Sequence, residues 1–218
     1  MIDLHMHTLL SDGALLPAEL IQRAYHAGYR AMALTDHVDM SNMDFVIPRI
    51  VEAVNELSGY TDVTVLPGAE ITHVPPKLIR GLVKKARKLG AQIVIVHGET
   101  LAEPVAPGTN RAGIEAGADI ISHPGLISRA DALKARHKGI ALEITARKGH
   151  SISNGHVAKI AMETGALLVV NTDSHGPEDL ITRERAKTIL QAAGISRISD
   201  INRILKNSEK IVHAFRRS

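Results

Sequence analysis

The sequence predicts an α/β fold in which about seven parallel strands form a barrel wrapped by helices. Three observations carry this. Seven short, continuously apolar runs recur along 218 residues, as expected for parallel strands covered by helices. Helical stretches stand between them, which is the pattern of serial β–α units. Every apolar run also delivers a polar residue at or just past its C-terminal end. A barrel gathers such residues at one mouth, whereas an open sheet spreads them along an edge.

Taken in order, the first strand is "IDLHM" (2–6), which carries His5 and His7 and is followed by Ser11, Asp12 and Gly13. "PAELIQRAYHAG" opens a helix at Pro17 and stops it at Gly28, using proline in a first turn and glycine past a last one. "AMALTD" (31–36) ends at Asp36, with His37 next. "FVIPRIVEAVNELSG" ends at Gly59, and Pro48 predicts that its helix begins there. "VTVLPGAE" (63–70) ends at Glu70. "PKLIRGLVKKARKLG" ends at Gly90, and its cations suit a solvated outer face. "QIVIVH" (92–97) ends at His97 and leads into the longest predicted loop, 98–109. "DIISH" (119–123) ends at His123, and "IALEIT" (140–145) runs into Arg147. "SNGHVAKIAMETG" is predicted to be capped by Ser153 or Asn154 and to end at Gly165. "ALLVVNTD" (166–173) ends at Asp173, before Ser174 and His175, and "TRERAKTILQAAG" ends at Gly194. Residues 195–218 are predicted to be a C-terminal helical extension with a basic tail, "HAFRRS". No repeat, linker or low-complexity segment interrupts the chain, so residues 1–218 are expected to form one domain.

Composition narrows the function. Aromatic residues are 2% of the chain, so the core is aliphatic and stacking platforms for single-stranded nucleic acid are few. There is no cysteine, which excludes disulfides and thiolate metal sites. The formal charge of +3 is too weak to argue for nucleic acid, though it suits a phosphorylated ligand. No apolar run approaches the roughly 18 residues needed to span a bilayer. Residues from Met1 onward lack the basic and apolar segments of a secretory leader, so a cytoplasmic location is expected.

The 12 histidines stand out, because imidazole is the commonest metal ligand among side chains. On a regular strand, residues two apart share a face, so His5 and His7 are expected to point the same way, as is Asp3. Two imidazoles on one face make a metal grip, although an isolated pair serves equally well as a hydrogen-bonded core pair. The recurrence of His37, His97, His123 and His175 at strand ends tips the balance toward metal. Asp3, expected deeper in the barrel, would accept a hydrogen bond from a ligand histidine. Glu70 and Asp173 add carboxylates, which need a partner when buried. Imidazole and carboxylate donors together suit two or three ions of Zn, Mn or Fe. Asp36 should point to the opposite side from His37 as a hydrogen-bond acceptor. His26, His156 and His213 are expected on the surface and His137 at the wrong end of a strand, while His73 and His150 follow strand ends and are within reach of the mouth.

The runs "DLHMHTLLSDG", "LTDH", "GAE", "VHG", "SHP" and "NTDSH", in this order along nearly the whole chain, resemble the PHP (polymerase and histidinol phosphatase) family of amidohydrolase-like barrels. The resemblance implies a distorted TIM-like (β/α)7 barrel with a di- or trinuclear metal centre that hydrolyses phosphoesters. It implies one metal on His5, His7, Glu70 and Asp173, and a second on Glu70, His97 and His123 with Glu70 bridging. A third would lie on Asp12, His37 and His175. Position 12 is His in some relatives and Asp in others.

Three functions follow as expectations. The first is a phosphoesterase acting on a small phosphomonoester, such as histidinol phosphate or a nucleotide phosphate. In it Asp12, Glu70, Asp173 and His175 serve the chemistry, while Arg147 and Ser174 contact substrate. The second is C–N hydrolysis at the same site. The third is a non-catalytic nucleic-acid-binding barrel, against which the intact ligand set argues. The sequence leaves the oligomeric state open.

Overall fold

The computed structural model describes residues 1–215. The expected basic tail beyond Phe215 (Arg216, Arg217 and Ser218) lies outside the described residues.

All seven expected strands form, and a short extra one joins them. β1 is Ile2–Asp3, β2 Ala31–Leu34, β3 His37–Val38, β4 Thr64–Ile71, β5 Ile93–His97, β6 Ile120–Ser122, β7 Ala141–Thr145 and β8 Leu167–Asn171. Neighbours pair in the parallel order β1-β2-β4-β5-β6-β7-β8, and β3 pairs with β4 alone. A parallel bridge between Met6 and Ser174 brings the two edges together. His7 N–H donates to the Ser174 carbonyl at 2.8 Å across that seam. The result is a nearly closed barrel of seven parallel strands.

Helices lie outside it: α1 Pro17–His26, α2 Met43–Leu57, α3 Pro76–Lys88, α4 Thr109–Ala116, α5 Arg129–Lys138, α6 Asn154–Thr164, α7 Arg183–Ala192 and α8 Ile198–Phe215. Two differences from the expected elements are informative. α2 begins at Met43 rather than Pro48, because Met43, Val46 and Ile47 bury an apolar face that holds the chain helical through the proline. α4 and α5 were not foreseen. α4 is eight residues long, and α5 buries only Ala132 and Ala135, so neither carries a strong apolar stripe. Among the described residues no helix is long and apolar enough to cross a membrane.

The inside of the barrel is filled by Leu4, Ala31, Ala33, Leu66, Ile93, Ile95, Ile120, Ala141 and Val169. Each fully buried aliphatic side chain of Leu or Ile size contributes roughly 1.5–3 kcal/mol. Val212 of α8 belongs to this same cluster, and Asn207 donates to the Leu168 carbonyl at 2.9 Å. The C-terminal helix is therefore part of the barrel's packing. The alternation of the strands then places the chemistry. Along β5, Ile93 and Ile95 fill the barrel and His97 is next on that face. Leu66 and Glu70 stand in the same relation on β4, and Ala141 and Glu143 on β7.

Candidate metal centre

The first strand is regular only to Asp3, and this changes what its side chains do. Leu4 joins the barrel-filling cluster. Asp3 does not reach a ligand imidazole. Its Oδ1 accepts from the backbone N–H of His5 and Thr172, both at 3.2 Å, which ties β1 to the chain beyond β8. The expected role of Asp3 belongs instead to Glu143, which the sequence reading passed over. Fully buried, Glu143 accepts from His5 Nδ1 at 2.8 Å through Oε2, and from Asn171 Nδ2 at 2.9 Å. Its Oε1 accepts from the His123 N–H at 3.3 Å. The available signal was its position, two residues before the end of β7 on the inward face.

His5 and His7 meet Glu70 and Asp173 in a buried cluster. His5 Nε2 is 3.2 Å from Glu70 Oε1 and 3.6 Å from Asp173 Oδ1. His7 Nε2 is 3.6 Å from Glu70 Oε2 and 3.2 Å from Asp173 Oδ1. Beyond them, His123 Nε2 is 3.5 Å from Asp173 Oδ2 and 3.9 Å from Glu70 Oε1. His97 joins Glu70 and His123 with ligand atoms all within 4.8 Å. On the outer side, Asp12 lies 3.1 Å from His175 Nε2 and 3.6 Å from His37 Nε2. All nine expected donors therefore converge, in overlapping groups around Glu70, Asp173 and Asp12.

The protonation pattern fits metal. A carboxylate only accepts, so His5 Nδ1 carries a proton in its bond to Glu143, which leaves Nε2 as the nitrogen that would take an ion. Thr72 Oγ1 donates to the Glu70 carbonyl and so accepts from His37 Nδ1 at 2.6 Å. His175 Nδ1 donates to the Asp173 carbonyl at 3.0 Å. Nε2 of His5 is left facing Glu70, and Nε2 of His37 and His175 facing Asp12, the arrangement of a histidine oriented for a metal from behind; His37 Nδ1 also lies 2.8 Å from Glu70 Oε2.

Six atoms of the centre are buried without hydrogen-bond partners: His5 Nε2, both ring nitrogens of His7, Glu70 Oε2, His97 Nδ1 and His123 Nδ1. Orphaned buried polar atoms of this kind are costly, and divalent ions would satisfy them. The titration tendencies divide the donors. Burial, joined by the neighbouring imidazole charges, pushes His7 and His123 well below the ordinary histidine range. Burial opposes charge on His5 as well, but Glu70, Glu143 and Asp173 outweigh it and raise its pKa. Burial lifts Asp173 to about 7.

The turns are built to hold these donors. A Cβ on Gly13 would meet the His7 carbonyl oxygen at 2.4 Å, so only glycine lets the Ser11-Asp12-Gly13 turn fold back on the first strand. Asp36 points away from the donors and accepts from Thr8 N–H at 2.8 Å and Ser11 Oγ at 2.7 Å, fixing that turn. His123 and Asp173 adopt left-handed φ values of 25° and 55°, a strained conformation for non-glycine residues that is typical of functional sites.

Other expected residues fall elsewhere. Ser174 is fully buried, and its Oγ donates to the Gly176 carbonyl at 3.2 Å, because the residue forms the barrel seam. Arg147 Nη1 donates to Asp179 Oδ2 at 3.1 Å. That same oxygen accepts from the His175 N–H at 2.8 Å, so Arg147 is linked to the outer donors. Neither proposed cap closes α6 with its side chain; Asn154 instead bonds both backbone groups of Thr145. His26, His137 and His213 are exposed, whereas half-buried His156 bonds the Ile127 carbonyl at 2.9 Å. His73 and His150 do reach the mouth, beside Glu103 of the 98–109 loop, a residue the sequence reading did not single out.

Comparison with known proteins agrees with this architecture. The chain is 48% identical over 196 residues to an uncharacterized protein of Methanocaldococcus jannaschii, covering 89% of this chain and 90% of that one. It is 30% identical over 241 residues to a probable phosphatase of Shewanella pealeana, covering 99% of this chain and 92% of that one. A chain in the structure of archaeal ribonuclease P with mature tRNA superposes with a TM-score of 0.74 at 19% identity, covering 98% of this chain and 90% of that one, a likeness of fold. Residues 3–194 match the PHP domain, and with its seven-stranded barrel and its motifs in order, the chain belongs to the PHP domain family.

Proposed function

We propose that this protein is a metal-dependent phosphoesterase acting on a small phosphomonoester. The observation that carries the reading is the convergence of nine imidazole and carboxylate donors, with six buried atoms orphaned among them. Its membership of the PHP family and a relative named as a probable phosphatase over nearly its whole length favour phosphoester over C–N hydrolysis.

His5, His7, Glu70 and Asp173 would hold one ion, Glu70, His97 and His123 a second, and Asp12, His37 and His175 a third. Bound divalent ions supply Lewis acidity toward water and phosphoryl oxygens at neutral pH. The chain's own residues do the rest. Glu143, Thr72 and the Asp173 carbonyl orient the ligand imidazoles. The partly exposed edge formed by Asp12, His37 and His175 is where substrate enters. Arg147, with one guanidinium nitrogen on Asp179, offers its remaining donors to a terminal phosphate.

The test is phosphate release from a panel of phosphorylated metabolites by Mn- and Zn-reconstituted protein, beside a panel of amides. Metal-dependent phosphate release supports the proposal, and turnover confined to amides would replace it with C–N hydrolysis.

A further inference from the structure

A second group of donors stands at the rim and shares His97 with the nine just described. Its centre is Glu103, carried by the loop between β5 and α4. Glu103 Oε2 lies 3.0 Å from His73 Nε2 and 3.2 Å from His97 Nε2, while Oε1 lies 3.5 Å from His150 Nε2. One ligand atom from each of His73, His97 and Glu103 falls within 4.8 Å of the others, the same spacing found inside the main centre. The side chains of His73 and Glu103 are 43% and 39% exposed, so the group opens to solvent.

We propose that His73, His97 and Glu103 form a further divalent-cation site at the rim of the barrel. Two imidazoles and one carboxylate, with open positions left to water, are a donor set for Zn- or Mn-like ions. His97 would serve both places as a bridging imidazolate, releasing its ring proton to solvent when both ions are bound. Its Nε2 lies beside Glu103, and its Nδ1 is buried without a partner. The backbone agrees. Among the described residues only His73, His123 and Asp173 combine a side chain with positive φ. Two of these are donors of the main centre. The third, His73, has a φ of 52°, strain of the kind that persists where the surrounding structure fixes a functional group. The site is independent of which bond the enzyme breaks.

The competing account is a latch. Glu103 accepts from His73 and Thr100 bonds His150 Nδ1 at 2.7 Å, contacts that would pin the 98–109 loop to the mouth without any ion. Titration of the metal-stripped full chain with Mn(II) separates the two. Bound ions are counted by mass spectrometry after desalting, and weakly held ions by the electron-spin signal of free Mn(II). Glu103→Gln and His73→Asn are compared with wild type, each change falling on a partly exposed residue outside the main centre. The proposal expects each variant to bind about one ion fewer, or that ion at least roughly tenfold more weakly, with the other ions and the melting temperature of the metal-free chain kept. Equal stoichiometry and affinity in all three proteins would overturn it in favour of a latch. Loss of two or more ions would overturn it too, by making Glu103 and His73 part of the main centre.

Discussion

The inner and outer halves of the metal centre use the same residue types in opposite ways. His5, His7, Glu70 and Asp173 have side chains 0–3% exposed, whereas Asp12 is 54%, His37 25% and His175 15% exposed. The orphaned buried atoms fall on His5, His7, Glu70, His97 and His123, and on none of the three outer donors. The outer donors pair with each other and reach solvent. The inner donors are backed by Glu143 on His5 Nδ1 at 2.8 Å and Ser122 on Glu70 Oε1 at 2.6 Å, yet hydrogen bonds do not reach all of their atoms. The inner half thus has the most to gain from a bound ion, and the outer half, paired and open to solvent, the least.

The largest effect is expected from the inner half. Glu70→Ala should remove more than one ion per chain, since Glu70 is shared by two donor groups, and total metal analysis reads this directly. Unchanged stoichiometry would show that Glu70 does not bridge. Stripping the metal from wild type should lower its melting temperature in the same direction. A ligand at about 1,000 times its Kd adds roughly 4 kcal/mol, and in a chain of this size each kcal/mol moves the melting temperature by about 2–4 °C. The inner half also has a pH signature. With Asp173 lifted to about 7 in the metal-free protein, protons compete with metal near neutrality. Metal affinity should therefore fall as the pH drops below about 7 and rise above it.

Asp12→Asn tests the outer half. It removes the one carboxylate of that group, so at most one ion should be lost, without the stability loss of Glu70→Ala. Turnover in metal-limited buffer should drop, and excess metal should restore part of it. Full activity under metal limitation would mean that two ions suffice.

The same inner–outer contrast explains what the sequence disclosed. All nine donors stand at or just past the ends of apolar strands or in the turn after the first, so their convergence follows from strand order alone. Residues that orient the donors were hidden. Glu143 sits inside an apolar run, and only the barrel's curvature brings it to His5, 138 residues away in sequence. Asp3 misled because the period-two rule needs a regular strand, and β1 loses regularity after Asp3. Ser174 misled because a residue between two donors on a seam is needed by the backbone. α4 and α5 were missed because one is short and the other buries only alanines.

Glu143→Gln sharpens the comparison from behind the inner half. It keeps the shape and leaves one oxygen for His5 Nδ1 and Asn171 Nδ2, which both bond Oε2, but it removes the charge and puts an NH2 where Oε1 accepts from the His123 N–H. Changes to residues that orient metal-bound histidines typically cost 10- to 100-fold in affinity. Metal titration should show weaker binding in that range with stoichiometry intact at saturation. Wild-type affinity would mean that His5 is oriented by packing alone.

The smallest effect on metal is expected at Arg147, where the metal content should not change at all. Two roles are available to this side chain, and their sizes differ enough to be told apart. If it only pairs with Asp179, the bond is partly exposed, and exposed ion pairs are worth about 0.2–1 kcal/mol, so Arg147→Ala would cost at most about fivefold in kcat/KM. A charge-assisted bond to a substrate phosphate is worth about 1.5–3 kcal/mol, or roughly 10- to 150-fold. We expect a loss near the lower end of that second range, because one guanidinium nitrogen is already held by Asp179 and only the remaining donors are free to meet substrate. Arg147→Lys should restore little, since a point charge cannot keep Asp179 and grip phosphate together. Asp179→Asn is the control. It releases Arg147 but weakens the acceptor of the His175 and Gly176 N–H groups, both of which bond Asp179 Oδ2. A positioning role alone would make Asp179→Asn the more damaging of the two changes, with kcat falling and KM held. A phosphate contact makes Arg147→Ala the more damaging. A loss below fivefold in Arg147→Ala on every phosphomonoester turned over would reduce Arg147 to a strut for the outer half.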